Sequence, residues 1–146
     1  MTLTTTPTGR DGALALALAA LGLLLGGCFA SADSLNDEGA RLVDRERDWA
    51  GGQALFEKAL AKDDRNAPAH KNLALCLMKT GKVDEARTHL EQAVAIDPTY
   101  AEALINLSLV CYQQKDYAAA VEHMDRAVDN GFPVDMRYRE TLDAHR

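Results

Sequence analysis

Two histidines, two cysteines, an aspartate pair and two asparagines are the reactive or ligating side chains that stand out along the chain. His89 and His123 stand 34 residues apart, and recurring imidazoles are a common start for a zinc site. No third ligand recurs with them, so a solvated helix face is the expected home of both. Cys76 and Cys111 stand 35 apart. In an oxidising compartment they could pair, or each could be a small buried hydrophobe filling a helix contact. The Asp63-Asp64 carboxylates read as solubilising groups in a turn rather than as an acid and a base. Asn72 and Asn106, again 34 apart, carry amides that both donate and accept, which suits them to hold a peptide backbone. There is no Gly-rich phosphate loop, no H-E-x-x-H and no G-x-S-x-G. The chain therefore reads as a non-enzyme, with no catalytic residues, no cofactor, no metal site and no small-molecule substrate.

The distance of 34 recurs well beyond those pairs. Phe56, Leu90 and Met124 follow it, and so do Ala59, Ala93 and Ala127. Gly52, Ala86 and Ala120 form another series, and Ala40, Ala74 and Ser108 a further one. Large apolar and small residues repeating at one period mean one supersecondary unit stacked on itself. Small residues belong where the two helices of a unit cross closely, and large ones fill the space between layers. The pattern resembles the tetratricopeptide repeat (TPR), a helix-turn-helix unit. That resemblance implies an all-α fold, an α-solenoid of three such repeats plus a C-terminal capping helix.

In this frame repeat one is 33–66, repeat two 67–100 and repeat three 101–134. Residues 135–146 form the capping helix, with Tyr138 and Leu142 as its inward stripe. Asn66 is the expected cap of repeat two, with Pro68 tolerated in the first turn. Thr99 and Glu102 make a capping-box pattern before repeat three, and Asn130-Gly131 ends its last helix. Gly81 belongs to a tight inter-helix turn whose equivalents are Arg47 and Lys115. Repeat one is the most degenerate. Gly39 stands where a large apolar residue is expected, and Gly52 is expected to cost its helix about 1 kcal/mol relative to Ala.

In the TPR family the exposed faces of the first helices line a concave groove. Carried over by position, that face is Asp37, Glu38, Arg41, Asp44 and Arg45 in repeat one, Lys71, Asn72, Leu75, Met78 and Lys79 in repeat two, and Glu102, Ile105, Asn106, Leu109, Tyr112 and Gln113 in repeat three. The candidate partner-binding residues among them are Lys71, Asn72, Leu75, Met78, Ile105, Asn106, Leu109 and Tyr112. Leu75, Met78, Ile105, Leu109 and Tyr112 form an apolar strip, which marks a partner site if exposed. Chaperone-binding members hold a terminal carboxylate with a Lys/Asn/Arg clamp. Asp37 and Glu102 stand where that clamp has Lys, so the clamp is not expected, since a carboxylate repels that ligand. The resemblance implies a protein or peptide partner, as adaptor or assembly factor or as a peptide-holding, chaperone-like module.

The N-terminal part carries a different signal. Ala13 to Leu25 is an unbroken apolar run, too short for the roughly 20 residues a membrane span needs and suited to a signal-peptide h-region. Leu25-Gly26-Gly27-Cys28 follows and resembles a bacterial lipobox. This implies a signal peptide over 1–27, lipidation of Cys28 and a short linker over 28–32. Ala30-Ser31-Ala32 offers ordinary signal peptidase a second site, which would release a soluble periplasmic chain from Asp33. By resemblance, Phe29 in place of Asp after the cysteine points to the outer membrane. A net charge of −6 without a Lys/Arg cluster argues against nucleic acid, and leaves the lipid anchor as the only membrane contact.

Overall fold

A computed structural model of the chain describes residues 30–145. The expected signal peptide over 1–27 and Cys28 lie outside the described residues. The seven α-helices described are α1 (Ala32–Arg41), α2 (Trp49–Lys62), α3 (Ala67–Lys79), α4 (Val83–Ile96), α5 (Ala101–Gln113), α6 (Tyr117–Asp129) and α7 (Met136–Asp143). They pack in sequence as three hairpins, α1·α2, α3·α4 and α5·α6. α2 and α4 meet the next hairpin, and α7 closes on α6.

Short polar residues start most of these helices. Ser31, Asp48, Asn66 and Asp116 each accept a backbone N–H from three residues on, and Asp135 accepts that of Arg137. The capping box expected at Thr99 is not formed. Tyr100 occupies the cap position of α5 without a side-chain bond. Asp97 captures Thr99 instead, taking its N–H at 2.9 Å and its hydroxyl at 2.7 Å. Glu102, freed from a capping role, reaches Lys71.

The hairpin turns repeat one backbone device. Arg47, Gly81 and Lys115 are all left-handed, at φ 57°, 79° and 63°. After Gly81 and Lys115 the next N–H returns to a carbonyl five residues back, Lys82 to Leu77 and Asp116 to Cys111, both at 2.9 Å. In the first hairpin the matching bond runs six residues, from Asp48 to Leu42 at 3.2 Å. The chain between, Leu42–Glu46, is correspondingly a π-helical turn.

The large residues of the 34-residue series are in the core: Phe56, Leu90 and Met124 are all at most 1% exposed, and Ala59, Ala93 and Ala127 are fully buried beside them. At the helix crossing of the third hairpin, Ser108 Oγ donates to the Ala120 carbonyl at 2.6 Å. Gly52 departs from expectation. A Cβ there would lie 2.4 Å from Val43 Cγ2 and 3.2 Å from the Gly39 carbonyl, so alanine does not fit without movement. Gly39 in turn lies against the Phe56 ring, where a Cβ would come within 2.7 Å. The missing apolar side chain of α1 is thus replaced by an aromatic ring from α2.

Candidate functional site

The first helices of the hairpins place their solvent-facing side chains along one groove, made of three hollows that share walls. The first, about 220 Å³, lies between Val43, Asp44, Lys71, Asn72 and Leu75. The central one, about 390 Å³, adds Trp49, Met78, Lys79, Asn106, Leu109 and Gln113 to Val43, Asp44 and Leu75. The third, about 340 Å³, runs from Ile105, Asn106 and Leu109 to the Phe132–Asp135 connection and Tyr138. Leu75, Met78 and Leu109 are half-buried, with apolar surface still in solvent, whereas Ile105 is nearly covered.

Seven of the eight candidate partner-binding residues line these hollows: Lys71, Asn72, Leu75, Met78, Ile105, Asn106 and Leu109. Tyr112 does not. Its ring packs against Tyr117 (5.5 Å between centroids), Tyr138 (6.2 Å) and His145 (6.3 Å), and Tyr117 stacks on His145 at 3.8 Å. The cause is α7: Tyr138 is held by a 2.8 Å hydrogen bond to Ser108, and burial pushes its hydroxyl pKa up. The capping helix therefore draws Tyr112 into its own docking cluster. Trp49, Phe132, Pro133 and Val134 complete the walls, positions that a helix-face reading does not reach because they lie outside the first helices.

The polar groups differ in how far they are committed. Asn72 Nδ2 donates to Asn36 Oδ1 at 2.9 Å, so this rung of the expected amide pair is already engaged by α1. Asn106 stands at the wall shared by the central and third hollows. Lys71 Nζ is 3.1 Å from the Glu102 carboxylate and 6.0 Å from the centroid of the Tyr100 ring. Glu102 thus takes up a cation instead of supplying one, which removes Lys71 from any carboxylate clamp. Lys79 Nζ lies 5.5 Å above the Trp49 ring.

The histidines sit differently from the expectation of a solvated face. His89 and His123 are half-buried, and desolvation lowers the pKa of both; for His89 the nearby His70 adds to it. His70 Nε2 must donate to the Asp64 carbonyl at 3.0 Å, which leaves its Nδ1 to accept from His89 Nδ1 at 3.0 Å. His123 has Leu104 at the position corresponding to His70, and its buried Nδ1 has no hydrogen-bond partner among the described residues. Among the described residues no three His, Cys, Asp or Glu side chains converge as metal ligands. Among the described residues Cys76 and Cys111 are free, buried thiols; burial pushes Cys76 up to about 11 and raises Cys111 as well. Among the described residues, no helix is long and apolar enough to cross a membrane.

With that geometry in place, residues 64–130 match the family described as tetratricopeptide repeat. The fold is a tetratricopeptide-repeat solenoid. The matched span covers the second and third hairpins and leaves the glycine-bearing first one outside. The TPR domain of Sgt2 from Aspergillus fumigatus superposes with a TM-score of 0.69 at 24% identity, covering 78% of each chain. The second TPR of Spaghetti (RPAP3), bound to an HSP90 peptide SRMEEVD, has a TM-score of 0.64 at 21% identity, covering 67% of this chain and 90% of that one. Hsp70-Hsp90 organizing protein 1 of Glycine max is 24% identical over 115 residues, which are 79% of this chain and 19% of that protein. The chain spans less than a fifth of the length of the curated relatives it matches.

Proposed function

We propose that this TPR protein is a non-catalytic docking module whose concave groove receives a segment of a protein partner. The observation that carries the reading is the apolar floor formed by Leu75, Met78 and Leu109, which faces solvent across adjoining hollows. A groove of that kind gains roughly 25 cal/mol for each Å² of apolar surface a partner covers. The similarity to a TPR bound to an HSP90 peptide supports a peptide or protein segment as occupant. The LGGC tetrad after a short apolar run supports lipidation at Cys28. The chain would then be an adaptor or assembly factor anchored in a bacterial envelope and facing the periplasm, in pilus- or secretion-type machinery. Cleavage after Ala32 would give the same module in soluble form.

Leu109→Asp is the direct test of the groove. A charge there should abolish partner binding while helicity and Tm stay within error of wild type, because Leu109 is not part of the buried core. Undiminished binding would refute the groove reading. For the anchor, Cys28→Ser should end incorporation of labelled fatty acid and move the protein out of the membrane fraction. Unchanged fractionation would refute lipidation. The placement of Asn106 between two hollows favours one second reading, a peptide-holding module that grips backbone amides. Weak binding to many unrelated unfolded peptides, lost in Asn106→Ala, would favour it over a single defined partner.

A further inference from the structure

Building on the groove reading, we infer that the occupant is an apolar segment bearing a cationic side chain, and that Asp44 is the group that selects it. Asp44 lies on the wall shared by the first and central hollows, next to Val43 and Leu75. Among the described residues its carboxylate has no hydrogen-bond or ion-pair partner. The cations of the groove are differently placed. Lys71 is only 15% exposed and is neutralised by Glu102 at 3.1 Å, and Lys79 rests over the Trp49 ring. At the far end, the third hollow is bordered by a further carboxylate, Asp135, whose only described bond is the Arg137 backbone N–H at 2.8 Å. Lys79 keeps its charge over that ring, so with Lys71 paired the lining carries two carboxylates, Asp44 and Asp135, against one cation, an excess of negative charge in a chain of net charge −6.

That polarity sets the chemistry of the partner. A lysine or arginine flanked by apolar residues places its stem on Val43 and Leu75 and its charged head at Asp44, whereas a carboxylate in that place meets a like charge. The local π-helical turn Leu42–Glu46 is what carries Val43 and Asp44 there. In the second and third repeats the corresponding pairs are Leu77 with Met78 and Cys111 with Tyr112, so the charge belongs to the first hairpin alone. An acidic segment such as the SRMEEVD peptide seen on the related TPR is the wrong ligand for this groove.

The test uses short synthetic peptides of identical apolar sequence with a central Lys, norleucine or Glu, titrated against the described domain in its full chain. Trp49 is the chain's single tryptophan and lines the central hollow, so its fluorescence reports occupancy directly. The Lys peptide should bind at least about fivefold tighter than the Glu peptide at low salt, with the advantage shrinking at high salt. Asp44→Asn should bring the three peptides to parity, and Asp44→Lys should reverse their order. Asp44 is exposed, so neither change should alter Tm. Equal binding of all three peptides to wild type, or preference for Glu, would overturn the assignment to Asp44 while leaving the groove reading in place. No binding of any peptide and no change in Trp49 emission would overturn both.

Discussion

The first and third hairpins follow one register with opposite materials. α1 buries only Asn36 and Gly39, and α2 approaches it through Gly52 and the Phe56 ring. α5 buries Ala103, Leu104, Ile105, Leu107, Ser108, Val110 and Cys111, and crosses α6 with a hydrogen bond from Ser108 to Ala120. Their seams to the middle hairpin differ in the same sense. Hairpin one is tied by neutral amides and one carboxylate, Asn66 to Asp33 at 2.7 Å and Asn72 to Asn36 at 2.9 Å. Hairpin three is tied by charge: Arg87 reaches Gln114 at 2.8 Å and Asp116 at 3.2 Å, and Lys71 reaches Glu102. A repeat array needs only the spacing of small and large positions kept; what fills them sets how firmly each unit holds. The hairpin with the thinner apolar core is also the one that contributes Val43, Asp44 and Trp49 to the groove.

The largest effect that would break this comparison is overpacking of the tighter crossing. Ala120→Leu should cost about 3 kcal/mol in chemical denaturation, because the Cβ site is fully buried and its carbonyl is held by Ser108. Ala118→Leu, on the exposed side of the same helix, should be nearly neutral. Equal losses would mean that the 34-residue register does not define the contact. In the first hairpin, Gly52→Ala should destabilise by about 1–2 kcal/mol although helix propensity alone predicts a gain, since the new methyl meets Val43. Val43→Ala in the same molecule should recover part of that loss.

Acid should act next, through the imidazoles. His89 and His123 have pKa values held below their ordinary 6.5 by burial, so the unfolded chain binds more protons than the folded one once pH falls past that value. Stability is then complete above about pH 6.5 and declines as pH drops below it, by about 1.4 kcal/mol per unit of pKa difference at each site. With Nδ1 of His89 donating to His70, a proton taken up by His89 falls on its Nε2, away from the contact. Glu57 on α2 and Glu85 on α4 oppose the depression at His89 without reversing it. A Tm profile against pH should flatten in His89→Gln with His123→Leu.

The smallest predicted effect lies in the turns. Lys115 holds φ 63° with a side chain that disfavours it, whereas Gly81 holds φ 79° in the equivalent turn. Lys115→Gly should stabilise by about 0.5–1 kcal/mol, and Gly81→Ala should lose a similar amount.

The solenoid was legible because its contacts are periodic: Phe56, Leu90 and Met124, or Ala59, Ala93 and Ala127, announce a stacked unit before any coordinate. The groove was legible only along the first helices, where Leu75, Asn106 and Leu109 inherit the register. Trp49 opens α2, a second helix, and the Phe132–Val134 connection follows the last repeat, so a reading confined to the faces of the first helices reaches neither. Tyr112 lies apart from the hollows because two of its three ring neighbours, Tyr138 and His145, come from the segment after the repeats, which carries no 34-residue period. Thr99 shows a local competition that a motif hides: Asp97, two residues earlier, takes both donors before a capping box can form. His70 and His89 share no period, so their bond has no sequence signal.

In the proposed function the concave face is the working surface. That role is tested most directly by a photo-reactive residue placed at position 109 or, on the exposed face of α4, at position 88, in wild-type and Leu75→Asp backgrounds in the native host. One defined adduct is expected from position 109, abolished by Leu75→Asp, and none from position 88. Adducts from position 88 with position 109 silent, or an adduct at 109 indifferent to Leu75→Asp, would contradict it.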